Sequence, residues 1–291
     1  TSGCTSPAVW STGGSLINKV RTAGGAGLQN AGLSFGGSAN HPTVTDKTEE
    51  YNGSSWSAGG ALIEARCDLA GAGLQDAALA FGGNNCRTCT EEYNGSSWSA
   101  GGNLIQGRYS LAGAGTQNAG LAFSGFNNSP GDVATTEEYN GSAWSSGGAM
   151  ITARHAGIGF GTQNAALQAG GNSPSTKALT EEYNGSAWAT GGALIAGRDG
   201  LGGAGIQNAG VVYGGSTPSL SAITEEYNGT AWSEVSSMAV ARIQLAKGIG
   251  TQTSALAAGG STGSESCLTC VEEYTCGVGN YNFEKQTKRI S

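Results

Sequence analysis

The chain has 291 residues with a net charge of −7, only 12% of them charged and 52 of them Gly, which favours many short strands joined by tight turns over a helix-rich fold. Collagen is excluded because Gly follows no strict three-residue period and Pro occurs only five times, and no nucleic-acid partner is expected because the sequence has no basic stripe to meet phosphates. No apolar run approaches the roughly 20 residues that span a bilayer, so no membrane insertion is expected.

An internal repeat is the main feature of the chain. The tripeptide Glu-Glu-Tyr occurs six times at a spacing of about 44 residues, which matches the period of a four-stranded propeller blade. Its tyrosines are Tyr51, Tyr93, Tyr139, Tyr183, Tyr227 and Tyr274. A tryptophan follows five residues after each of the first five copies, at Trp56, Trp98, Trp144, Trp188 and Trp232. The repeat therefore predicts an all-β, six-bladed propeller with four antiparallel strands per blade.

The second copy shows the predicted order of elements. A variable loop separates its second and third strands, and a recurring arginine precedes the next blade. The elements are a first strand near Leu69 to Leu74, a turn at Gln75-Asp76, a second strand Ala78 to Phe81 ending in Gly82-Gly83, a third strand Thr90 to Tyr93, a hairpin at Asn94-Gly95, a fourth strand with Trp98, and then Arg108.

The dipeptide Asn-Gly between two strand-like runs predicts a two-residue type I′ hairpin. In the first copy this loop sets Tyr51 opposite Ser54 and Glu49 opposite Trp56, so that Tyr51, Trp56 and Glu49 share a face and Glu50 points to the other. One carboxylate of each Glu pair is expected to bond to the recurring arginine. These arginines are Arg21, Arg66, Arg108, Arg154, Arg198 and Arg242.

Four features recur in fixed order over about residues 1 to 276: a Gly-Gly doublet, a Tyr, a Trp and an Arg. In this order they resemble kelch repeats. The doublets are Gly36-Gly37, Gly82-Gly83, Gly170-Gly171, Gly214-Gly215 and Gly259-Gly260, with Ser124-Gly125 as the one departure. The resemblance implies a propeller whose first strands line a central channel. The near-identical sequence of the copies is also similar to kelch-like repeats of phage and marine microbial proteins.

The two chain ends are predicted to complete one blade. The copy ending at Tyr274 has no Trp after it, whereas Trp10 has no Glu-Glu-Tyr before it, so Trp10 is expected to supply the fourth strand of the last sheet. Cys276 falls at the hairpin position and Cys4 lies just before this strand, which predicts a disulfide between them. The propeller is assigned to residues 1–276, and residues 277–291 form a C-terminal tail with Lys285, Lys288 and Arg289.

Two Cys-x-x-Cys pairs, Cys86/Cys89 and Cys267/Cys270, lie in loops between second and third strands. A shared zinc site is disfavoured because the pairs belong to separate blades, and a redox role because no helix N-terminus lowers the thiol pKa. Local disulfides are favoured for both pairs, which leaves Cys67 without a partner in the chain. Three bridges would indicate an oxidising location, either extracellular or on a virion surface.

The sequence contains few candidate catalytic residues, and we expect the protein to be no enzyme and to bind no cofactor and no metal. The only two histidines are His41 and His155, and the copper site of galactose-oxidase-like kelch propellers is not reproduced. The Glu pairs occur once per blade, which marks them as structural.

The recurring Asn-Gly-Ser/Thr matches the glycosylation pattern, but the turn alone explains it. Because kelch propellers include sialic-acid mutarotases, an acid/base sugar enzyme with Arg, Glu and His at the channel mouth is an alternative.

The copies differ mainly on one face. The Gln turns and Asn-Gly hairpins barely vary, whereas the loops after the doublets and the segments after each Arg vary in length and chemistry and are expected to lie together on the opposite face. A ligand is therefore expected there. The candidate residues are His41, Asn84, Asn85, Arg87, Tyr109, Phe126, Asn127, Asn128, His155 and Asp199.

Amides and aromatic rings on this face suit a glycan, and Phe126 is singled out because an exposed Phe in a polar loop has no packing reason visible in the sequence. The sequence favours a non-enzymatic adhesin or phage receptor-binding module for a cell-surface glycan or protein. An alternative is a structural decoration protein that assembles with other structural subunits through the tail.

Overall fold

The computed structural model describes residues 7–40, 42–85, 88–129, 131–263 and 268–276. These residues form six four-stranded antiparallel sheets, the blades of one propeller. The first strands of neighbouring blades contact one another around a central channel, and the first strand of blade six contacts that of blade one. The all-β, six-bladed architecture predicted from the repeat is confirmed.

The strands run outward from the channel in chain order in blades one to five. The first strands are Gly24–Leu28, Ala70–Leu74, Ala112–Thr116, Ile158–Thr162, Gly202–Ile206 and Gly250–Thr251. The second strands are Ala31–Phe35, Ala77–Phe81, Ala119–Phe123, Ala165–Ala169, Ala209–Tyr213 and Ser254–Ala258. The third strands are Thr48–Tyr51, Thr90–Tyr93, Thr136–Tyr139, Thr180–Tyr183, Thr224–Tyr227 and Val271–Thr275. The fourth strands are Trp56–Ala58, Trp98–Ala100, Trp144–Ser146, Trp188–Thr190, Trp232–Val235 and, for blade six, Val9–Thr12.

Within the described residues, three of the variable loops contain a short hairpin of their own. Their strands are Ser38–Asn40 with Thr43–Val44 in blade one, Phe126–Asn127 with Gly131–Asp132 in blade three, and Ser216–Thr217 with Ser219–Leu220 in blade five.

The N-terminal strand closes the ring. It pairs antiparallel with Val271–Thr275 in a register that sets Trp10 opposite Tyr274. The Trp10 ring lies 5.1 Å from the Tyr274 ring and 5.1 Å from the Tyr213 ring of blade five. The last blade is therefore assembled from opposite ends of the chain, as predicted, and this pairing closes the ring.

The predicted register of the outer hairpins is wrong by two residues. Tyr51 pairs with Trp56 and not with Ser54, so the connection has four residues. Gly53 adopts a φ of +89°, whereas Asn52 is not among the residues with positive φ, and the Asn52 Oδ1 accepts the backbone N–H groups of Ser54 and Ser55. This side-chain acceptor organises the turn without the two positive φ angles that type I′ requires. A shift of two keeps the faces unchanged, so Tyr51, Trp56 and Glu49 still share one.

Each apolar core lies between two neighbouring blades. At the first junction Phe35 of blade one packs against Trp98 of blade two with ring centroids 4.9 Å apart, and Leu33, Leu69 and Tyr93 are buried in the same cluster. The inner strands are rich in Gly because they approach one another closely. A Cβ on Gly71 would lie 2.4 Å from the carbonyl oxygen of Gly25 in the preceding blade.

Repeated polar contacts join each blade to the one before it. The Tyr hydroxyl of one third strand donates to the second Glu of the preceding blade at all six junctions, for example Tyr93 to Glu50 at 2.6 Å. The Gln of each inner turn donates to the Tyr carbonyl of the preceding blade at 2.6 to 2.8 Å. The invariant residues of the repeat are therefore structural, and the second carboxylate of each Glu pair is used between blades.

The first carboxylate of each Glu pair forms a buried ion pair with an arginine in five of the six blades. The pairs are Arg66 with Glu91, Arg108 with Glu137, Arg154 with Glu181, Arg198 with Glu225, and Arg242 with Glu272. The arginine side chains are completely buried. Burial lowers the pKa of Arg108 to about 10, and the charge of Glu137 opposes this shift.

The prediction for Arg21 is wrong. The other five arginines lie nine or ten residues before the Gln of the next turn, whereas Arg21 lies eight before Gln29, and Val20 takes the buried position. In the described residues Glu49 has no arginine partner. It accepts instead from the backbone N–H groups of Ile17 and Asn18, at 2.7 and 2.9 Å, and from the Asn18 amide.

The departure from Gly-Gly at Ser124-Gly125 is compensated in the next blade. The first Gly of a doublet packs against a leucine of the following blade, as Gly82 does against Leu111. Blade four has Gly157 at this leucine position, and the buried Gln168 fills the space and donates to the Ser124 hydroxyl at 3.0 Å. Ser124 can therefore replace a glycine, although its φ is +58°.

Candidate functional site

The variable loops are fastened to the segments that follow the arginines. The residue after each arginine position pairs with its own blade's loop through isolated bridges: Arg21 with Ser38, Tyr109 with Phe126, His155 with Asn172, Asp199 with Ser216, and Ile243 with Ser261. In blade two Cys67 and Asn84 make the corresponding contact through the Cys67 carbonyl. The two most variable parts of the repeat therefore lie on the same face, as predicted.

A closed ring of backbone hydrogen bonds surrounds the channel on this face. Each of six equivalent residues donates its N–H to the carbonyl of its equivalent in the preceding blade, at 2.8 to 3.0 Å. All six have φ between +51° and +61°, and five are not Gly, a conformation that costs on the order of 1 kcal/mol or more per residue. These ring residues are Thr22, Asp68, Ser110, Ala156, Gly200 and Gln244.

The ring encloses a cavity of about 220 Å³ at the mouth of the channel. The six ring residues line it together with His155, Asp199, Ile243, Leu245 and Lys247. Apart from Leu245, which is Leu in four of the six blades, these positions differ in chemistry from their equivalents in the other blades. The cavity is therefore the point at which the divergent residues of all six blades converge.

Lys247 lines this cavity and was missed by the sequence interpretation. Its Nζ donates to the carbonyl of Leu111 at 3.0 Å, across the channel from blade six to blade three. Burial lowers the pKa of this amine, and the charge of Asp68 opposes the shift. A signal was present in the sequence, because Gln252 follows Arg242 by ten residues, whereas the spacing is nine in blades two to five and eight in blade one. The extra residue interrupts the first strand, which is reduced to Gly250–Thr251.

An aromatic cluster lies beside the cavity. The Phe126 ring packs between Tyr109 and His155, with centroid distances of 5.5 and 5.4 Å. His155 Nδ1 lies 2.6 Å from the Asp132 carboxylate, which fixes the imidazole. The expectation that Phe126 lacks a packing reason is wrong, since the ring is half-buried in this cluster. The three rings nevertheless form one apolar shelf at the rim.

The predicted asparagines mostly serve the loops. Asn84 Oδ1 accepts the backbone N–H of Cys67 at 3.0 Å, and Asn85 donates to the carbonyl of Ala65 at 3.2 Å. Asn127 donates to the Gly107 carbonyl, and Asn128 is exposed in the same turn. The structure thus brings Tyr109, Phe126 and His155 together, whereas Asn84 and Asn85 belong to the neighbouring blade.

Among the remaining predicted residues, Asp199 lines the cavity and accepts from the Asn172 amide at 2.9 Å. His41 and Arg87 lie outside the described residues. The alternative of a sugar enzyme requires Arg, Glu and His at the channel mouth. Of these the described cavity lining contains His155 but no Arg or Glu.

The cysteines correct one prediction. Cys270 is a free thiol, so the predicted Cys267–Cys270 bridge is wrong. Its sulfur and its carbonyl both accept from Arg242, at 3.2 and 2.9 Å. Cys67 is also free, and burial, followed by the charge of Asp68, raises the pKa of its thiol to about 12. Cys89 and Cys276 are not among the free thiols. Their predicted partners Cys86 and Cys4 lie outside the described residues, as do Cys267 and the tail 277–291, so these two bridges stay predictions.

In the described part of the chain no three His, Cys, Asp or Glu side chains are grouped so that they could hold a metal ion. None of the described residues belongs to a helix long and apolar enough to cross a membrane. No protein-family model matches the chain, and no curated protein matches it.

Proposed function

We propose that this propeller is a non-enzymatic binding scaffold that recognises a cell-surface glycan or protein through its variable loop face. The observation that carries the proposal is the convergence of the divergent residues on the cavity and its rim, while the invariant residues bond blade to blade. Function is expected where a rigid scaffold displays variable residues. The kelch-like order of the repeat, an extracellular or virion-surface location and a receptor-binding role belong to this proposal.

The aromatic shelf favours a glycan as the ligand. Tyr109, Phe126 and His155 present ring surface next to a cavity with polar walls. Such a combination of apolar surface and a few placed polar groups is typical of small-molecule sites. The apolar face of a sugar ring would pack on the shelf, and its hydroxyls would bond to the polar lining.

The proposal is tested with a glycan array and a pull-down of cell-surface proteins, using the purified chain. Phe126→Ala should weaken binding about tenfold or more, because it removes a central aromatic anchor. Thr116→Ala is the matched control, since Thr116 is exposed at the end of an inner strand near the invariant Gln117 turn. It should bind like the wild type.

Circular dichroism establishes that both variants are folded. Two results would overturn the proposal. One is the absence of any ligand on the array and in the pull-down, together with turnover of a sugar substrate. The other is binding that the control variant abolishes and Phe126→Ala leaves intact.

A further inference from the structure

The charged groups of the channel-mouth cavity differ in whether they already have partners. Asp68 accepts from the Ser110 hydroxyl at 3.3 Å and from the Cys67 thiol at 3.2 Å. Asp199 accepts from Asn172, and His155 is paired with Asp132. The acidic and imidazole groups at the cavity are therefore held by the protein itself.

Lys247 is the exception. Its ammonium group has three N–H donors, and in the described residues only one of them is used, by the Leu111 carbonyl. Lys247 is partly buried, and a partly buried charge with unmade hydrogen bonds is costly, whereas a hydrogen bond to a charged group is among the strongest that a site offers. Lys247 lines the cavity that opens to the variable face, so a ligand in this cavity could supply acceptors for the two remaining donors.

We propose that Lys247 binds the carboxylate of an acidic sugar that enters the channel mouth. A carboxylate accepts several hydrogen bonds and carries the charge that matches an ammonium. The cavity of about 220 Å³ is smaller than the roughly 300 to 1,000 Å³ of drug-sized sites, which suits one sugar unit or the terminal unit of a longer glycan. This inference rests on the proposed function, because the aromatic shelf would hold the sugar ring next to the carboxylate.

A cationic sugar is the wrong ligand for this position. Its ammonium would face Lys247 at close range, and like charges in a partly buried site repel strongly. An uncharged sugar fits the cavity but leaves the two donors without an anionic acceptor. The expected order of affinity is therefore acidic, then neutral, then cationic.

The test is calorimetric titration of the whole chain with glucuronate, galacturonate, glucose and glucosamine. Glucuronate or galacturonate should bind the wild type about 10- to 100-fold more tightly than glucose, as expected for one charge-assisted contact in a desolvated site. Glucosamine should bind more weakly than glucose. This comparison needs no variant, and equal affinities for the acidic sugars and glucose would overturn the inference.

Variants then locate the contact. Lys247→Met should reduce uronate affinity to that of glucose, Lys247→Arg should retain part of it, and Lys19→Met, at an exposed lysine, should leave it unchanged. Uronate binding that survives Lys247→Met in the folded protein contradicts the inference. Array binding that depends on Phe126 but not on Lys247 would refute this inference alone and leave the proposed function standing.

Discussion

The indole N–H of Trp98 donates to the hydroxyl of Thr48 in the preceding blade at 2.9 Å. The same contact recurs at four other junctions, including Trp10 with Thr224 across the ring closure at 3.0 Å. At the sixth junction Val271 stands where the other blades have Thr, and in the described residues the buried Nε1 of Trp56 has no partner. One blade junction therefore lacks a bond that the other five have.

Val271→Thr should stabilise the protein by about 1 kcal/mol, because it supplies the missing acceptor to Trp56 with a side chain of the same shape. The reciprocal change, Thr48→Val, should cost about 1 to 3 kcal/mol by leaving Trp98 unsatisfied. Urea denaturation followed by tryptophan fluorescence measures both. Equal unfolding free energies for the wild type and Val271→Thr would show that the Trp56 position does not need an acceptor.

Arg66→Met should cost about 3 to 5 kcal/mol, because it leaves the carboxylate of Glu91 buried without its ion-pair partner. The double variant Arg66→Met/Glu91→Gln should recover most of this loss, since Gln is neutral and its oxygen still accepts the N–H of Ile63. Arg21→Met is the control. Arg21 lies outside the buried ion pairs, so a loss within about 0.5 kcal/mol is expected. A double variant no more stable than Arg66→Met would contradict this account.

Stability should fall steeply between pH 10 and 12. Burial, followed by the hydrogen bond to a Glu of the preceding blade, raises the pKa of Tyr93, Tyr139, Tyr183 and Tyr227 to about 12. Unfolded tyrosines have a pKa near 10, so the folded protein holds these protons more tightly. The resulting stability is fully present below about pH 10 and is lost as the pH rises through about 12. Urea midpoints measured from pH 8 to 12 test this, and Tyr93→Phe should show a shallower decline than the wild type.

Gly157→Leu alone should destabilise the protein by about 2 kcal/mol or more, because a Cβ at this position would lie 2.6 Å from Gln168 Nε2. The triple variant Ser124→Gly/Gly157→Leu/Gln168→Ala introduces the residues found at the junction of blades two and three. These are Gly82 in blade two, and Leu111 and Ala122 in blade three. It should lie within about 1 kcal/mol of the wild type, since volume is conserved. If the loss of unfolding free energy in the triple variant equals the sum of the losses in the three single variants, these residues are not coupled.

The repeat was sufficient to predict the blade number, the strand order and the ring closure through Trp10, because each depends on a pattern that occurs six times. Single-residue offsets were not visible in the same way. Arg21 resembles the other arginines by identity, yet it lies one residue too close to Gln29 for the buried position. The predicted hairpin register was wrong because the Asn52 Oδ1 accepts the backbone N–H of Ser54, which a two-residue loop would have bonded to the Tyr51 carbonyl.

The sequence predicted the face on which the candidate site lies, but it did not predict all of the residues that form the site. Tyr109, Phe126 and His155 were proposed because they break the repeat in loops, and the structure brings their rings into contact. Lys247 lies just before the inner strand of blade six, where the sequence suggested only scaffold, and its position depends on a single extra residue in that blade. Asp132 was missed because its role depends on which loop lies beside His155, a relation that only the folded chain defines.

The backbone ring at the channel mouth fixes the shape of the entrance independently of the side chains that line it. Its donors and acceptors are all main-chain atoms, so Thr22, Asp68, Ser110, Ala156, Gly200 and Gln244 hold the same geometry with six different side chains. Exchange of these side chains changes what the entrance displays without altering the bonds that shape it. The propeller therefore resembles an antibody framework in this respect, with a fixed rim on which a library of entrance residues, favouring Gly, Asn and Asp at the strained φ, could be selected for new ligands.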